Sequence, residues 1–129
     1  MSTRSIIAYG TIKELFPIFP CTTAHFDGNP ENMLPILREH FNDSEKSYEL
    51  TDQAPFSGIK SSGEIFGSWA DKPENPCLFS GKDQFENLTE AAKYFWDTAY
   101  AYIFDQDSNS WHAFKISMTE EREITPLNL

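Results

Sequence analysis

Three polar residues near the N-terminus, Arg4, His25 and Asp27, are of the types that acid–base chemistry and ligand binding use. His25 and Asp27 lie two positions apart, so their side chains share one face of an extended strand. A carboxylate that orients an imidazole is typical of general bases and of metal ligands. We therefore predict a binding site formed by these residues and Asn29. The competing structural interpretation is that Asp27 opens a turn, His25 is half-buried, and Arg4 pairs with a carboxylate.

The hairpin that the first two extended segments would form also predicts where these residues lie. In such a pair, Arg4 is expected near one end and His25 with Asp27 near the opposite end. A small-ligand or hydrolytic site should show a concave surface on which Arg4, His25 and Asp27 converge.

The two cysteines, Cys21 and Cys77, do not indicate catalysis or metal binding. Neither lies in a CxxC pair or at a strand-to-helix nucleophile turn, and the chain has no GxSxG, P-loop or GxGxxG motif. Cys21 and His25 lie four positions apart, which suits one face of a helix, but the nearby prolines argue against a helix there. We therefore expect two reduced, buried thiols, no cofactor and no catalytic residue.

One acidic segment, Asp105-x-Asp107-x-Asn109, resembles the first half of a calcium-binding loop. An EF-hand loop needs glycine at its sixth position and a bidentate carboxylate at its twelfth. Ser110 and Ile116 occupy those positions, and the flanking residues are typical of strands. The segment therefore predicts a solvated hairpin loop and no metal site.

The charge is strongly acidic, with 20 Asp and Glu residues against 10 Lys and Arg residues and a formal net charge of −10. Binding to a nucleic-acid backbone needs clustered basic residues. The lysines at positions 60, 72, 82 and 93 are scattered singly. Direct nucleic-acid binding is therefore not expected.

Carboxylates crowd two regions, the first helical region and the tail. They are Glu31, Glu39, Asp43, Glu45, Glu49, Asp52, Glu120, Glu121 and Glu123. Such a run is usually a solvated face. It could also meet a basic surface on a partner, or imitate the phosphates of DNA. Glu39, Glu45 and Glu49 are the binding residues that we predict from this surface.

Aromatic residues make up 15% of the chain, enough for a substantial core. Core packing is expected for most of these aromatics, but Trp69, Trp111 and several phenylalanines need not all fit into one small core. Aromatics left at the surface mark interfaces with a partner or with a second copy of the chain. We therefore add Trp111 to the predicted binding residues.

The length of 129 residues predicts one domain, 1–129, in which 119–129 form either a flexible tail or an edge strand. Strands are expected over 2–9 and 15–26, and a hairpin over 99–104 and 111–116. A helix spanning Met33 to Phe41 is expected, capped by Asn32 with Pro35 in its first turn. The pattern predicts an α+β fold, an antiparallel sheet from the N-terminal strands and the C-terminal hairpin packed against two or three helices.

Two further helices complete this prediction. The first is short and follows a cap at 42–44, with Tyr48 and Leu50 facing inward. The second opens at Asn87 with a capping-box pattern, and its apolar face includes Phe95 and Trp96. Residues 51–86 give no clear pattern.

Three separated blocks, roughly half of the chain, are similar to a known family, and they include the opening MSTRS and the closing residues 101–105 with Trp111. Residues 23–30, TAHFDGNP, followed by ILREHF at 36–41, resemble the HWDGYP-like turn and the following helix of small phage and prophage proteins that begin MSTRS. Here Phe26 stands where that family has Trp, and Asn29 where it has Tyr. The resemblance implies a phage or mobile-element source, and it implies no activity, because the family has no assigned function.

Taken together, the sequence predicts non-enzymatic protein binding by a phage or mobile-element accessory protein, as an acidic inhibitor of a host or defence protein. The alternative is a small-ligand or hydrolytic domain that uses Arg4, His25 and Asp27. No apolar run approaches the roughly 20 residues of a membrane helix, and the N-terminus does not read as a signal peptide. We therefore expect a protein of the host cytoplasm with no membrane partner, and association with a second copy stays open.

Overall fold

The computed structural model of the chain describes residues 3–12, 18–53, 55–67 and 88–128. The predicted cap at Asn87, together with Trp69, Cys77 and most of the unpatterned region, lies outside these residues. In chain order the elements are β1 (Arg4–Gly10), β2 (Ile18–Ala24), α1 (Pro30–His40), α2 (Ser44–Thr51), β3 (Gly58–Ile59), β4 (Ile65–Phe66), α3 (Leu88–Tyr94), β5 (Thr98–Asp105), β6 (Ser110–Ile116) and β7 (Ile124–Leu127).

The fold is α+β, as predicted, but its main sheet is mixed and not antiparallel throughout. Its strand order is β2-β1-β5-β6-β7, and β3 pairs with β4 in a separate two-stranded sheet. β1 is antiparallel to β2 but parallel to β5. The physical reason is the length of the connections: few residues separate β1 from β2, which suits antiparallel neighbours, whereas the long segment between β2 and β5 allows β5 to run in the direction of β1.

The C-terminal hairpin is confirmed. β5 and β6 pair antiparallel, from Asp105 with Ser110 to Tyr100 with Lys115. Of the two expectations for the tail, the edge strand is the one found, since β7 pairs antiparallel with β6.

Helices cover both faces of the main sheet. Because side chains alternate along a strand, Ile6 and Ile7 are both fully buried, on opposite faces. Ile7 packs with residues of α1 and α2, whereas Ile6 packs with residues of α3. The sheet therefore has two separate hydrophobic cores, and its central strands are buried on both sides.

The start of α1 differs from the prediction. Asn29 occupies the N-cap position without a side-chain capping hydrogen bond, and Pro30 lies in the first turn, so Asn32 already lies inside the helix. Pro30 is a good first helical residue because its φ is fixed and its missing N–H would have had no helical partner. Pro35 consequently lies within the helix and not in its first turn.

The predicted cap of α2 is confirmed, but only one of the two side chains predicted to face inward is buried. Asp43 accepts a hydrogen bond from the backbone N–H of Lys46 at 2.7 Å. Leu50 is buried, but Tyr48 is 41% exposed. Tyr48 instead places its ring edge-on to Tyr9, with ring centroids 5.4 Å apart.

The apolar face of α3 is as predicted up to Phe95, which is buried with Leu88, Ala91 and Ala92. Trp96 is 72% exposed, so the expectation that it belongs to this face is wrong. The helix ends at Tyr94, and residues beyond that point no longer follow helical spacing.

A buried arginine joins the end of α3 to the turn before β7. Arg122 is 5% exposed and has a positive φ of 51°. Its guanidinium donates to the carbonyl oxygens of Ala92 at 3.0 Å, Phe95 at 3.0 Å and Thr98 at 2.6 Å. A positive charge at a helix C-terminus also meets the negative end of the helix dipole. Arg122 therefore fixes the segment that leads from α3 into β5.

Candidate functional site

Arg4 and His25 lie at the same end of the β1–β2 pair, and not at opposite ends as the sequence suggested. Ser5 pairs with Ala24 in this antiparallel register, so the first residue of β1 lies beside the residue that follows β2. On its other side, Arg4 pairs with Thr98 at the start of β5. Three separate parts of the chain therefore meet around the Arg4 side chain.

Arg4 bridges an imidazole and a carboxylate. Its Nε donates a hydrogen bond to His25 Nδ1 at 2.9 Å, and its Nη2 lies 3.3 Å from His25 Nε2. Its Nη1 donates to Asp97 Oδ2, with which it forms an ion pair. The side chains of Arg4 and Asp97 are 35% and 32% exposed, so the group lies at the surface but is partly shielded.

Burial and the neighbouring Arg4 lower the pKa of His25, and the charge of Asp97 opposes this only in part. A neutral imidazole is what the geometry requires, because Nδ1 accepts from Arg4 and cannot carry a proton at the same time. The ring of His25 is also edge-on to Phe26, with centroids 4.5 Å apart. His25 therefore acts here as an acceptor that holds the Nε side of the guanidinium.

Asp27 does not share the contacts of His25. It is exposed and has a φ of 55°, which places it in the turn after β2. The carboxylate beside Arg4 is Asp97, which lies 93 positions from Arg4 in the sequence. Sequence reasoning missed Asp97 because only the parallel pairing of β1 with β5 brings it close, and no local pattern indicates that pairing.

A cleft of about 170 Å³ opens beside these three side chains. Its other lining residues are mostly apolar: Thr23, Ala24, Pro55, Phe56, Phe95 and Thr98. The cleft, which we call the Arg4–Asp97 cleft, therefore joins a charged rim to an apolar wall. It is large enough only for a small ligand or a single side chain.

A larger groove, of about 600 Å³, runs between α1 and the β3–β4 hairpin. Three carboxylates line it, from Asp27, Glu31 and Glu39, together with the apolar side chains of Pro35, Ile36, Ile59 and Phe66. Asn32, Lys60 and Ser61 complete its lining. We call it the acidic groove.

Asn29 supports one wall of the acidic groove. Its Nδ2 donates to Glu31 Oε2 at 2.5 Å, and its Oδ1 accepts from Asn32. The hydrogen bond from Asn29 is the main reason that the pKa of Glu31 is lowered, with a smaller contribution from a backbone N–H. Lys60, the cation in the groove, lies 3.4 Å from Glu64 and is partly neutralised by it.

The remaining predicted residues do not join either site. Glu45 and Glu49 are exposed on α2 and do not line the acidic groove. Trp111 is only 2% exposed, so the expectation that it is left over from the core is wrong. Its Nε1 donates to the carbonyl oxygen of Phe41 at 2.8 Å, and its ring is edge-on to Phe104. Trp111 is thus a core residue that fits because its one polar group is satisfied.

Cys21 is buried and reduced, as predicted, and burial raises the pKa of its thiol to about 12. A thiol that stays protonated at neutral pH is not a nucleophile. Within the described residues, no group of three or more His, Cys, Asp or Glu side chains is placed to hold a metal ion.

The loop that begins at Asp105 joins β5 to β6, and the Asp105 carboxylate is hydrogen-bonded within the protein. Asp105 is 4% exposed and accepts hydrogen bonds from the Ser108 hydroxyl at 2.7 Å and the backbone N–H of Ile12 at 3.3 Å. Burial acts to raise the pKa of Asp105, but these hydrogen bonds and those from the backbone of 107 and 108 outweigh it and lower the pKa. Asp105 therefore ties the hairpin loop to the end of β1.

Replacing Asp105 with Asn should lower the free energy of unfolding by about 1–2 kcal/mol at neutral pH, because hydrogen bonds to a charged group are lost. A depressed carboxyl pKa contributes stability that is present above the unfolded pKa and lost as the pH falls through the folded pKa. In urea unfolding experiments, the deficit of Asp105→Asn should therefore be largest above the unfolded carboxyl pKa and shrink as the pH falls through the lower folded pKa. The exposed Asp107→Asn is the matched control, and an equal deficit in both variants would contradict this account.

In comparisons with known proteins, no family model, curated protein or solved structure matches this chain. Among the described residues, no helix has both the length and the apolar character needed to cross a membrane.

Proposed function

We propose that this protein acts by binding another protein without catalysis, and that the acidic groove receives a segment of that partner carrying Lys or Arg side chains. The observation that carries the proposal is the combination of three carboxylates with an apolar floor in one groove of about 600 Å³. Long basic side chains match it, because their alkyl stems cover apolar surface while their charged ends reach carboxylates.

The charge of the whole chain supports the same kind of partner. A net charge of −10 attracts a basic surface at long range and repels an acidic one. Imitation of DNA phosphates would need carboxylates alone, so the apolar floor of Pro35, Ile36 and Phe66 favours a protein segment as the occupant.

We further propose that the partner is a host or defence protein that this chain inhibits, in the setting of a phage or other mobile element. The family resemblance of residues 23–30 suggests that setting, and Asp27 belongs to both that turn and the acidic groove. An inhibitor needs only to occupy a basic site on its target, so the proposal requires no catalytic residue.

Glu39→Lys should weaken partner binding at least tenfold at low salt, because it places a positive charge at the groove rim opposite a basic segment. Glu39 has a side chain that is 72% exposed, so the fold should tolerate the change. The measurement is capture of partners from host-cell lysate by the tagged protein at low and high salt, followed by titration of the purified partner.

Glu49→Lys is the control, because it makes the same charge change on α2, away from the groove. It should retain most of the binding, and its small loss should vanish at high salt, where long-range attraction is screened. Equal loss in both variants would show that only net charge matters, and the absence of any captured partner would refute the proposal.

A further inference from the structure

We propose that the Arg4–Asp97 cleft binds a small zwitterionic α-amino acid, a function separate from that of the acidic groove. In this arrangement the α-carboxylate of the ligand accepts hydrogen bonds from Arg4, and its α-ammonium group donates to Asp97. The ligand side chain lies against the apolar wall formed by Pro55, Phe56 and Phe95.

Arg4 has hydrogen-bonding capacity that its own contacts do not use. A guanidinium carries five N–H groups. The described contacts engage one on Nε and one on Nη1. Nη2 lies 3.3 Å from His25 Nε2, but Nε2 carries the imidazole proton when Nδ1 accepts, so this contact joins two donors and is not a hydrogen bond. At least two N–H groups of the five, one on each Nη, therefore remain for a ligand carboxylate, on a side chain that is 35% exposed.

Asp97 offers the complementary acceptor. Its Oδ2 binds Arg4, and its Oδ1 accepts no hydrogen bond from the described part of the chain. An ammonium group can thus reach Oδ1 while the Arg4–Asp97 ion pair stays intact. Because the ligand does not have to break that pair, binding does not leave either charge without a partner.

The charges of the rim select a ligand that carries both signs. Arg4 is positive, Asp97 is negative and His25 is neutral, so neither sign predominates at the rim. A simple carboxylate would be attracted by Arg4 and repelled by Asp97, whereas a simple amine would be attracted by Asp97 and repelled by Arg4. His25 is a positioning residue, because its hydrogen bond to Nε keeps the Nη side of the guanidinium available.

The size and lining of the cleft limit the ligand. About 170 Å³ accommodates a small amino acid with an aliphatic side chain and not a peptide. Phe56 is fully buried and Phe95 is 8% exposed, so both are held by the core and form a rigid wall.

The test is an NMR titration of the whole protein with glycine, L-alanine and L-valine, observing the His25 ring and the backbone amide of Thr98. At least one of the three should produce saturable shifts. Two fragments serve as matched controls for valine: 3-methylbutanoate lacks the amine, and 2-methylpropylamine lacks the carboxylate. Both should bind at least tenfold more weakly than valine, because each loses one of the two charged contacts.

Asp97→Asn should weaken binding of the amino acid at least tenfold and leave 3-methylbutanoate unaffected or better bound. Asp52→Asn, which removes an equal charge from the exposed end of α2, should change nothing. The proposal is overturned if no amino acid gives saturable shifts, or if the carboxylate fragment binds as well as valine. Both of these results come from the native chain, so they do not depend on whether Asp97→Asn folds.

Discussion

Replacing Arg122 with alanine should lower the free energy of unfolding by about 3–4 kcal/mol, the largest effect that we expect from a single charged residue in this protein. The guanidinium satisfies the carbonyl oxygens of Ala92, Phe95 and Thr98, all in a buried region. Removing it takes the guanidinium donor from all three oxygens, of which that of Phe95 still accepts from the N–H and the hydroxyl of Thr98. A buried group that loses its partner costs about 1–3 kcal/mol. Urea unfolding followed by circular dichroism measures the change.

Two variants make this prediction specific. Lys115→Ala removes an exposed positive charge from β6 and should change stability by less than about 0.5 kcal/mol. Arg122→Lys keeps the charge but loses the planar arrangement of donors, so it should recover only part of the loss. If lysine restores full stability, charge at the end of α3 matters and the hydrogen bonds to the carbonyls do not.

Trp111→Ala should destabilise the protein by about 3–5 kcal/mol, because it leaves a large cavity in the core beneath α1. The residue is 2% exposed and contacts Phe104 edge-on, with ring centroids 5.5 Å apart. The change also leaves the carbonyl oxygen of Phe41 without its indole donor. Chemical unfolding of the variant measures the loss directly.

Trp96→Ala is the matched control for Trp111, since it removes the same side chain from a position that is 72% exposed. Its effect on stability should lie within about 0.5 kcal/mol. Comparable losses at the two positions would mean that Trp96 is covered in solution, or that Trp111 is not part of the core.

Local patterns in the sequence were sufficient to predict elements whose stabilising contacts join residues close together in the chain. Two apolar segments around a polar loop predict the β5–β6 hairpin. Asp43 predicts the α2 cap, and its side chain accepts from the backbone N–H of Lys46, three positions further on. The prediction that Trp96 belongs to the apolar face was wrong because α3 ends two residues earlier. Helix ends are set by tertiary contacts such as those of Arg122. Helical spacing alone does not contain that information.

The candidate site was predictable only in part, for the same reason. Arg4 and His25 were recognised by residue type, and the β1–β2 hairpin brings them together. Asp97 was not recognised, because its place beside Arg4 depends on a parallel pairing between distant strands. The acidic residues on α1 were predicted to form a charged surface. Part of the apolar lining of the acidic groove, Ile59 and Phe66, comes from the β3–β4 hairpin, which has no clear sequence pattern.

The position of β1 between β2 and β5 has a consequence for how the chain folds. Arg4 and Asp97 are 93 positions apart, so one of the two neighbours of β1 is synthesised long after β1 itself. Until then β1 has only the β2 hairpin beside it, and an isolated hairpin is marginally stable in water. Contacts between distant residues slow folding, and exposed strand edges favour aggregation of the nascent chain. Truncations that end before β5 are therefore expected to need chaperone protection during translation, whereas chains that include β5 can pair β1 on both of its edges.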